Sequence, residues 1–232
     1  MNFIVEPFAQ FIGYIFLWIQ GMVHNHGMSL IILSIVVNII LFPFYHLADK
    51  IEKKEKNAQL QMKPKLDEFK SVYKGYELYL YTNNVYRLND YHPAYALRGL
   101  VSLLIQIPFF MGAYAFLSHY TGFEGVSFLF LSDLSKPDGL LVLGGLAINI
   151  LPFVMTGINL MSGYVYAKDM SKSEKITIIV IAVFFLVVLY NSPSSLLVYW
   201  TCNNIFSLFK TIAYAKIDAK KKNALSVGGV TC

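Results

Sequence analysis

The chain has 232 residues, 56% of them hydrophobic and 14% charged, with a formal net charge of +5; a typical soluble domain carries about 25% charged residues. With a mean hydropathy of +0.53, this excludes an ordinary soluble domain and leaves room for several membrane spans of roughly 20 residues each. The basic residues flank apolar runs and form no single patch, which argues for membrane orientation and against direct nucleic-acid recognition.

In chain order, residues 8–23 are apolar but short, and Gln10, Gly13 and Gln20 interrupt them. They read as a helix lying in the membrane interface, with a sixth span as the alternative. Residues 28–45 form a strong span, broken only by Ser29, Ser34 and Asn38 and ended by Pro43 and a charged stretch. Residues 47–92 are densely charged. There Leu66, Phe69, Val72 and Tyr73 recur at helical spacing, and Leu78, Tyr81, Val85 and Leu88 do so again after Gly75. That pattern predicts a helical hairpin whose first arm is kinked or restarted at Pro64.

Four further spans follow: 95–117 with Gln106 and Pro108, 140–165 with a bend at Pro152, 176–190, and 195–214 carrying Asn203 and Asn204. The expected fold class is all-α: a polytopic membrane protein with five transmembrane helices, an N-terminal interfacial helix and a cytoplasmic helical hairpin. The expected parts are an outer segment 1–27, a five-helix core 28–46 and 95–214, the hairpin 47–94, and a tail 215–232.

Orientation follows from lysine and arginine placement. Residues 1–27 contain neither, whereas eight lysines and Arg87 lie between the first two spans, with Arg98 just inside the second. Residues 118–139 hold only Lys136, and the 191–194 turn holds no basic residue. Lys168, Lys172 and Lys175 follow the third span, and Lys216, Lys220, Lys221 and Lys222 follow the fifth. Every basic loop then falls on one side, with the N-terminus outside and the C-terminus in the cytoplasm.

The polar residues within the spans are not scattered. Ser34 and Asn38 share a face of the first; Arg98, Ser102 and Gln106 repeat every four residues on the second. Asn149, Thr156 and Asn159 mark the third, and Ser195, Tyr199, Asn203, Ser207 and Thr211 the fifth. An unsatisfied polar group in hydrocarbon costs several kcal/mol, so these stripes face protein or water. Either they pack helices together, or they line one hydrated cavity.

No catalytic or metal pattern competes. The five histidines form no HExxH motif, and no carboxylate lies inside a strong span. Ser192, Ser194 and Ser195 surround Pro193 as turn and helix-start residues. Cys202 and Cys232 match no ligand spacing or disulfide framework. No cofactor is expected, and no signal-peptide cleavage site, transit peptide or lipid-attachment cysteine is evident at the N-terminus.

Several motifs together resemble the YidC/Oxa/Alb family of membrane protein insertases. Gly27-Met28-Ser29-Leu30-Ile31-Ile32 through Leu41-Phe42-Pro43 is similar to the family's first core helix, and Gln61-Met62-Lys63-Pro64-Lys65-Leu66 to the start of its cytoplasmic hairpin. Leu104-Ile105-Gln106-Ile107-Pro108-Phe109-Phe110 with Tyr114 resembles its second core helix. Ser192 through Trp200, followed by Asn203-Asn204, resembles the fifth. The likeness runs through nearly the whole chain, in order.

The resemblance implies five helices around a hydrophilic groove open to the cytoplasm and to lipid, in a bacterial plasma membrane. A client's hydrophobic segment enters that groove, which shortens the path of its polar tail through hydrocarbon without covalent chemistry or nucleotide. The groove residues expected here are Ser34, Asn38, Arg98, Ser102, Gln106, Tyr199, Trp200, Asn203 and Asn204. The implied partners are nascent or newly made membrane proteins and the lipid bilayer. The hairpin and basic tail are either docking surfaces for a ribosome, targeting factor or translocon, or ordinary solvated faces.

One departure stands out: the bacterial family usually has an arginine where this chain has Asn38. Either Arg98 supplies the positive charge, or the clients are neutral. The segment Tyr91-His92-Pro93-Ala94-Tyr95 also departs from the family's usual Asn-Pro and Gly-Cys pattern. Two other readings remain, a scaffold subunit with an insertase-like fold and a small-solute transporter.

Overall fold

The computed structural model describes residues 2–165 and 172–228. The chain divides into two compact units, residues 1–39 with 111–232, and Ile40–Phe110. Its helices are α1 (Asn2–Val23), α2 (His26–Val72), α3 (Gly75–Leu88), α4 (Val101–Leu117), α5 (Leu151–Val165), α6 (Lys172–Leu189) and α7 (Ser194–Gly228). Short 3₁₀ turns occupy Pro93–Leu100 and Thr121–Phe123, and strands β1 (Leu141–Leu143) and β2 (Leu146–Ile148) pair antiparallel. The predicted Lys168 lies outside the described residues, as does Cys232.

In the first unit, α1 is amphipathic about an aromatic seam. Phe16 is fully buried and sits 5.6 Å from Phe116, 5.4 Å from Tyr120 and 5.4 Å from Phe123 between ring centroids. Gly112 of α4 permits the close approach, since a Cβ there would lie 2.6 Å from Phe8 Cβ. The other face of α1 exposes Phe11, Tyr14, Trp18 and Met22.

His24, with φ of 52°, reverses the chain into α2. The Asn25 side chain then accepts from the Met28 N–H at 3.0 Å and caps the helix. Ser29 Oγ donates to Gln20 Oε1 at 2.8 Å, which ties the start of α2 back to α1.

The helix does not restart at Pro64: α2 runs unbroken past both Pro43 and Pro64, from the predicted first span into the first arm of the hairpin. Each proline removes one backbone donor, but both occupy exposed positions, so their rings face away from packed neighbours. Among the described residues, α2 is the one helix long and apolar enough to cross a membrane, and 104–117 and 175–189 are shorter apolar helices.

The span predicted over 140–165 is also corrected. Its first third is a β-hairpin, and α5 begins only at Leu151. Gly144 and Gly145, with φ of 58° and 87°, supply the two left-handed positions of a tight hairpin turn. Asp138 completes the change by accepting from the Ile150 N–H at 2.6 Å and the Leu151 N–H at 3.3 Å, holding the start of α5. α5 packs against both α6 and α7. α6 is apolar around most of its circumference, leaving Ile176, Val180, Phe184 and Val187 exposed.

The loop after α4 is held by side chains. Asp133 Oδ1 accepts from Ser135 Oγ at 2.7 Å and from the Ser135 N–H at 2.9 Å, and Oδ2 pairs with Lys136 Nζ at 3.0 Å. The Ser135 hydroxyl, then Lys136, hold its carboxyl well below the usual carboxylate range. The carbonyls of Leu134 and Lys136 in turn accept the free N–H groups of Ser195 and Ser194 at 2.9 and 2.8 Å, which clamps the start of α7.

In the second unit, the lower part of α2 folds against α3 as the predicted hairpin. Gly75, with φ of 59°, turns the chain after the extended Lys74. Tyr73 and Tyr81 stack at 4.2 Å, Phe69 lies 5.1 Å from Tyr81, and Met62 and Val85 are buried. Of the predicted apolar positions, Val72, Tyr81 and Leu88 are exposed. Glu55 is 4% exposed, and its Oε1 accepts from Tyr91 Oη at 2.6 Å and from Gln59 Nε2 at 2.9 Å.

Burial first, and then the hydrogen bond to Glu55, push the Tyr91 phenol up to about 12. A raised folded-state value means the protonated phenol stabilises the fold. That contribution is fully present below the unfolded value near ~10 and is lost as pH rises through about 12. Tyr91→Phe should cost about 1 kcal/mol. Amide exchange around Glu55–Gln59 should then accelerate roughly fivefold, while Tyr79→Phe, at an exposed position, leaves it unchanged. Equal exchange in the two variants contradicts a structural role for the bond.

Candidate polar site within the helices

Six of the nine residues expected in a groove are described within the first unit: Ser34, Asn38, Tyr199, Trp200, Asn203 and Asn204. Four are buried polar residues and two are buried aromatics, and all six are nine-tenths or more covered. Leu30, Leu33 and Val37 on α2 and Leu196 and Leu197 on α7 are buried in the same unit. The polar side chains then have to satisfy one another.

Asn38 and Asn203 do so directly. Asn38 Nδ2 donates to the Ser34 carbonyl at 2.8 Å and to Asn203 Oδ1, a contact between residues 165 apart in the chain. Ser34 Oγ donates to the Ile31 carbonyl at 2.7 Å, and Cys202 lies in hydrogen-bonding reach of Ser34. Asn204, one residue on, points elsewhere: its Nδ2 meets the Met155 carbonyl of α5 at 3.5 Å. Consecutive asparagines thus tie α7 to two different helices, because adjacent positions lie about 100° apart around a helix of 3.6 residues per turn.

The aromatic pair flanks the amides. Tyr199 and Trp200 are 2% and 5% exposed, and the Trp200 ring lies 5.9 Å from Phe185 of α6. Among the described residues, the buried hydroxyls of Ser195 and Thr201 have no hydrogen-bond partner. A buried hydroxyl left in that state is where ordered water is normally found.

Arg98, Ser102 and Gln106 belong to the other unit. The stripe predicted for them requires a continuous α-helix, but residues up to Leu100 form a 3₁₀ turn and α4 begins at Val101. A 3₁₀ turn has three residues per turn, so Arg98 does not lie in the α-helical register of α4. His92 Nδ1 accepts from the Ala94 N–H at 3.2 Å and Pro93 follows it, which starts this tighter turn. The Arg98 guanidinium stacks 3.7 Å above the Tyr95 ring and is exposed. Gln106 is half-buried on α4. The Ser102 side chain lies outside those described.

Sequence reasoning gave no role to the region beyond α4. There a cavity of about 490 Å³ is lined by Ser118, His119, Glu124, Asp133, Ser135 and Lys136 among others. None of the nine groove candidates lines it. Asn149, assigned to a membrane stripe, instead holds the base of the β-hairpin: its Oδ1 accepts from the Gly139 N–H at 3.0 Å, and its Nδ2 donates to the Tyr190 carbonyl at 2.8 Å.

Residues 18–222 match the model of the 60Kd inner membrane protein family. A Membrane protein insertase YidC of Treponema denticola is 28% identical over 91% of this chain and 38% of its own length. One of Leptospira interrogans is 26% identical over 85% of this chain and 32% of its own. The chain therefore spans about a third of the curated relatives it matches. A crystal structure described as an active YidC insertase with its first transmembrane domain resolved shares the fold, with a TM-score of 0.59 at 24% identity over 89% of this chain and 45% of that one. The match over most of its length settles the family: the chain belongs to the 60Kd inner membrane proteins, the YidC family that its own motifs resemble.

Proposed function

We propose that the chain inserts hydrophobic segments of client proteins into the bilayer, through a polar groove within its helices that opens to the cytoplasm. The observation that carries this reading is the buried amide pair Asn38–Asn203, which places polar groups from two distant helices together inside an apolar framework. The unpartnered hydroxyl of Ser195, about two turns before Asn203 on α7, supports hydration along that face. Water and amides there offset part of the several kcal/mol that a polar tail loses on entering hydrocarbon. The YidC relatives carry the same activity in their names.

In this reading α2 and α4 to α7 supply the five spans and α1 lies in the outer interface. The N-terminus is outside, and the α2–α3 hairpin and the tail are in the cytoplasm. The clients are nascent or newly made membrane proteins. The hairpin is the surface a ribosome, targeting factor or translocon would meet.

The saturation of the Asn38 donors supports a second reading, a scaffold subunit in which the amides serve only to join helices. Photocrosslinkers at positions 38 and 203 separate the two. The insertase reading expects capture of a nascent membrane protein at both positions. Asn38→Leu, which removes one partner of the pair, should destabilise the protein by about 0.6–1.7 kcal/mol and slow insertion. Crosslinks to lipid alone, with normal insertion by a folded Asn38→Leu variant, would falsify it.

Arg98 bears on client choice. With Asn38 uncharged, the exposed guanidinium is a candidate attractor for acidic tails. Arg98→Gln should impair insertion of clients with acidic outer tails more than of neutral ones, read from paired clients in proteoliposomes. Equal impairment removes the electrostatic role.

A further inference from the structure

The β1–β2 hairpin presents apolar side chains on both faces. Leu141, Val142 and Leu143 are 42%, 67% and 57% exposed, and no charged or hydrogen-bonding side chain occurs from Leu140 to Ile148. A two-stranded hairpin with no layer packed on it is marginal in water. This one is nevertheless fixed at its base: Asp138 holds the N–H groups of Ile150 and Leu151, and Asn149 bonds both Gly139 and Tyr190. A polar knot thus anchors an apolar tip.

What covers that tip is indicated by its continuity with α5. The hairpin enters α5 within three residues, and α5 exposes Phe153, Val154, Met161 and Tyr164. The apolar run is unbroken by charge from Leu140 to Val165. The hairpin therefore continues the apolar surface of α5 past its N-terminal end.

We infer that the β1–β2 hairpin inserts its apolar tip into the lipid interface at the α5 N-terminal end, as a shallow wedge held by the Asp138–Asn149 knot. Its depth is limited by its own backbone. The outward N–H and C=O groups of a two-stranded sheet have no partner in hydrocarbon, so the tip stops at the headgroup–acyl boundary, within about 5–10 Å of it, where water still reaches those groups. The orientation proposed above enters only in naming this the outer leaflet; the wedge itself does not depend on insertase activity.

The test uses the full chain with Cys202→Ser and Cys232→Ser, reconstituted in phosphatidylethanolamine–phosphatidylglycerol vesicles. Spin labels are placed at Val142→Cys, Leu143→Cys and, for reference, Glu124→Cys, all exposed positions. Collision rates with oxygen, which partitions into lipid, and with a water-soluble nickel chelate report each label's surroundings. The inference expects the oxygen-to-nickel ratio at 142 and 143 to exceed that at 124 several-fold. A ratio equal to that at 124 means the tip is in water and overturns the wedge. Low collision with both reagents means that protein covers the tip, and overturns it as well. Client insertion measured on the same vesicles reads the insertase proposal separately.

Discussion

A hydrogen bond between two buried amides, Asn38 on α2 and Asn203 on α7, is the constraint around which the helical unit is arranged. Lipid offers no competing partner, so an asparagine inside a membrane helix must pair with protein or with water. Such bonds average only about 0.6 kcal/mol, and reach about 1.7 at most, in membrane proteins. Their weight lies in registration: with the amides joined, α2 and α7 are fixed against each other. Asn204 fixes α5 in the same way through the Met155 carbonyl. The apolar faces of these helices favour association without specifying register, and the amides specify it.

The polar contacts outside the helices follow the same logic at element ends. Asn25 caps α2, Asp138 holds α5, and the loop carbonyls at 134 and 136 receive the first N–H groups of α7. Each satisfies donors that a helix leaves open at its start. On the charged side, Glu55, Gln59 and Tyr91 form a partly covered cluster at the base of the α2–α3 hairpin. This hairpin is fastened by stacked tyrosines and by the buried Met62 and Val85, and not by surface ion pairs, which contribute little.

Much of this was legible in residue spacing. The four-residue interval from Ser34 to Asn38, and the placement of Asn203 on the last apolar run, identified polar edges that the fold buries together. Gly75 between two apolar repeats marked the hairpin turn, and its φ of 59° is the reason glycine serves there. The failures were equally local. Hydropathy treats residues 140–165 as one run because leucine and valine suit a strand as well as a helix; the overlooked signal was Gly144-Gly145, which matches a two-residue hairpin turn. Pro64 misled in the opposite direction, since it starts no new helix: one long helix carries both it and Pro43 on exposed positions. Arg98 lost its predicted alignment because Pro93, capped by His92, starts a tighter turn that spacing arithmetic at 3.6 residues does not foresee.

The proposed groove requires water to reach the amide pair from the basic side of the membrane. Cys202 adjoins Asn203 and approaches Ser34, so it reports on that spot without an added label. In a Cys232→Ser protein, held in vesicles with the basic loops outward, a charged membrane-impermeant thiol reagent should modify Cys202. Modification by an apolar, lipid-soluble maleimide alone, with the charged reagent excluded at all times, contradicts a hydrated groove and leaves the amides as dry fasteners.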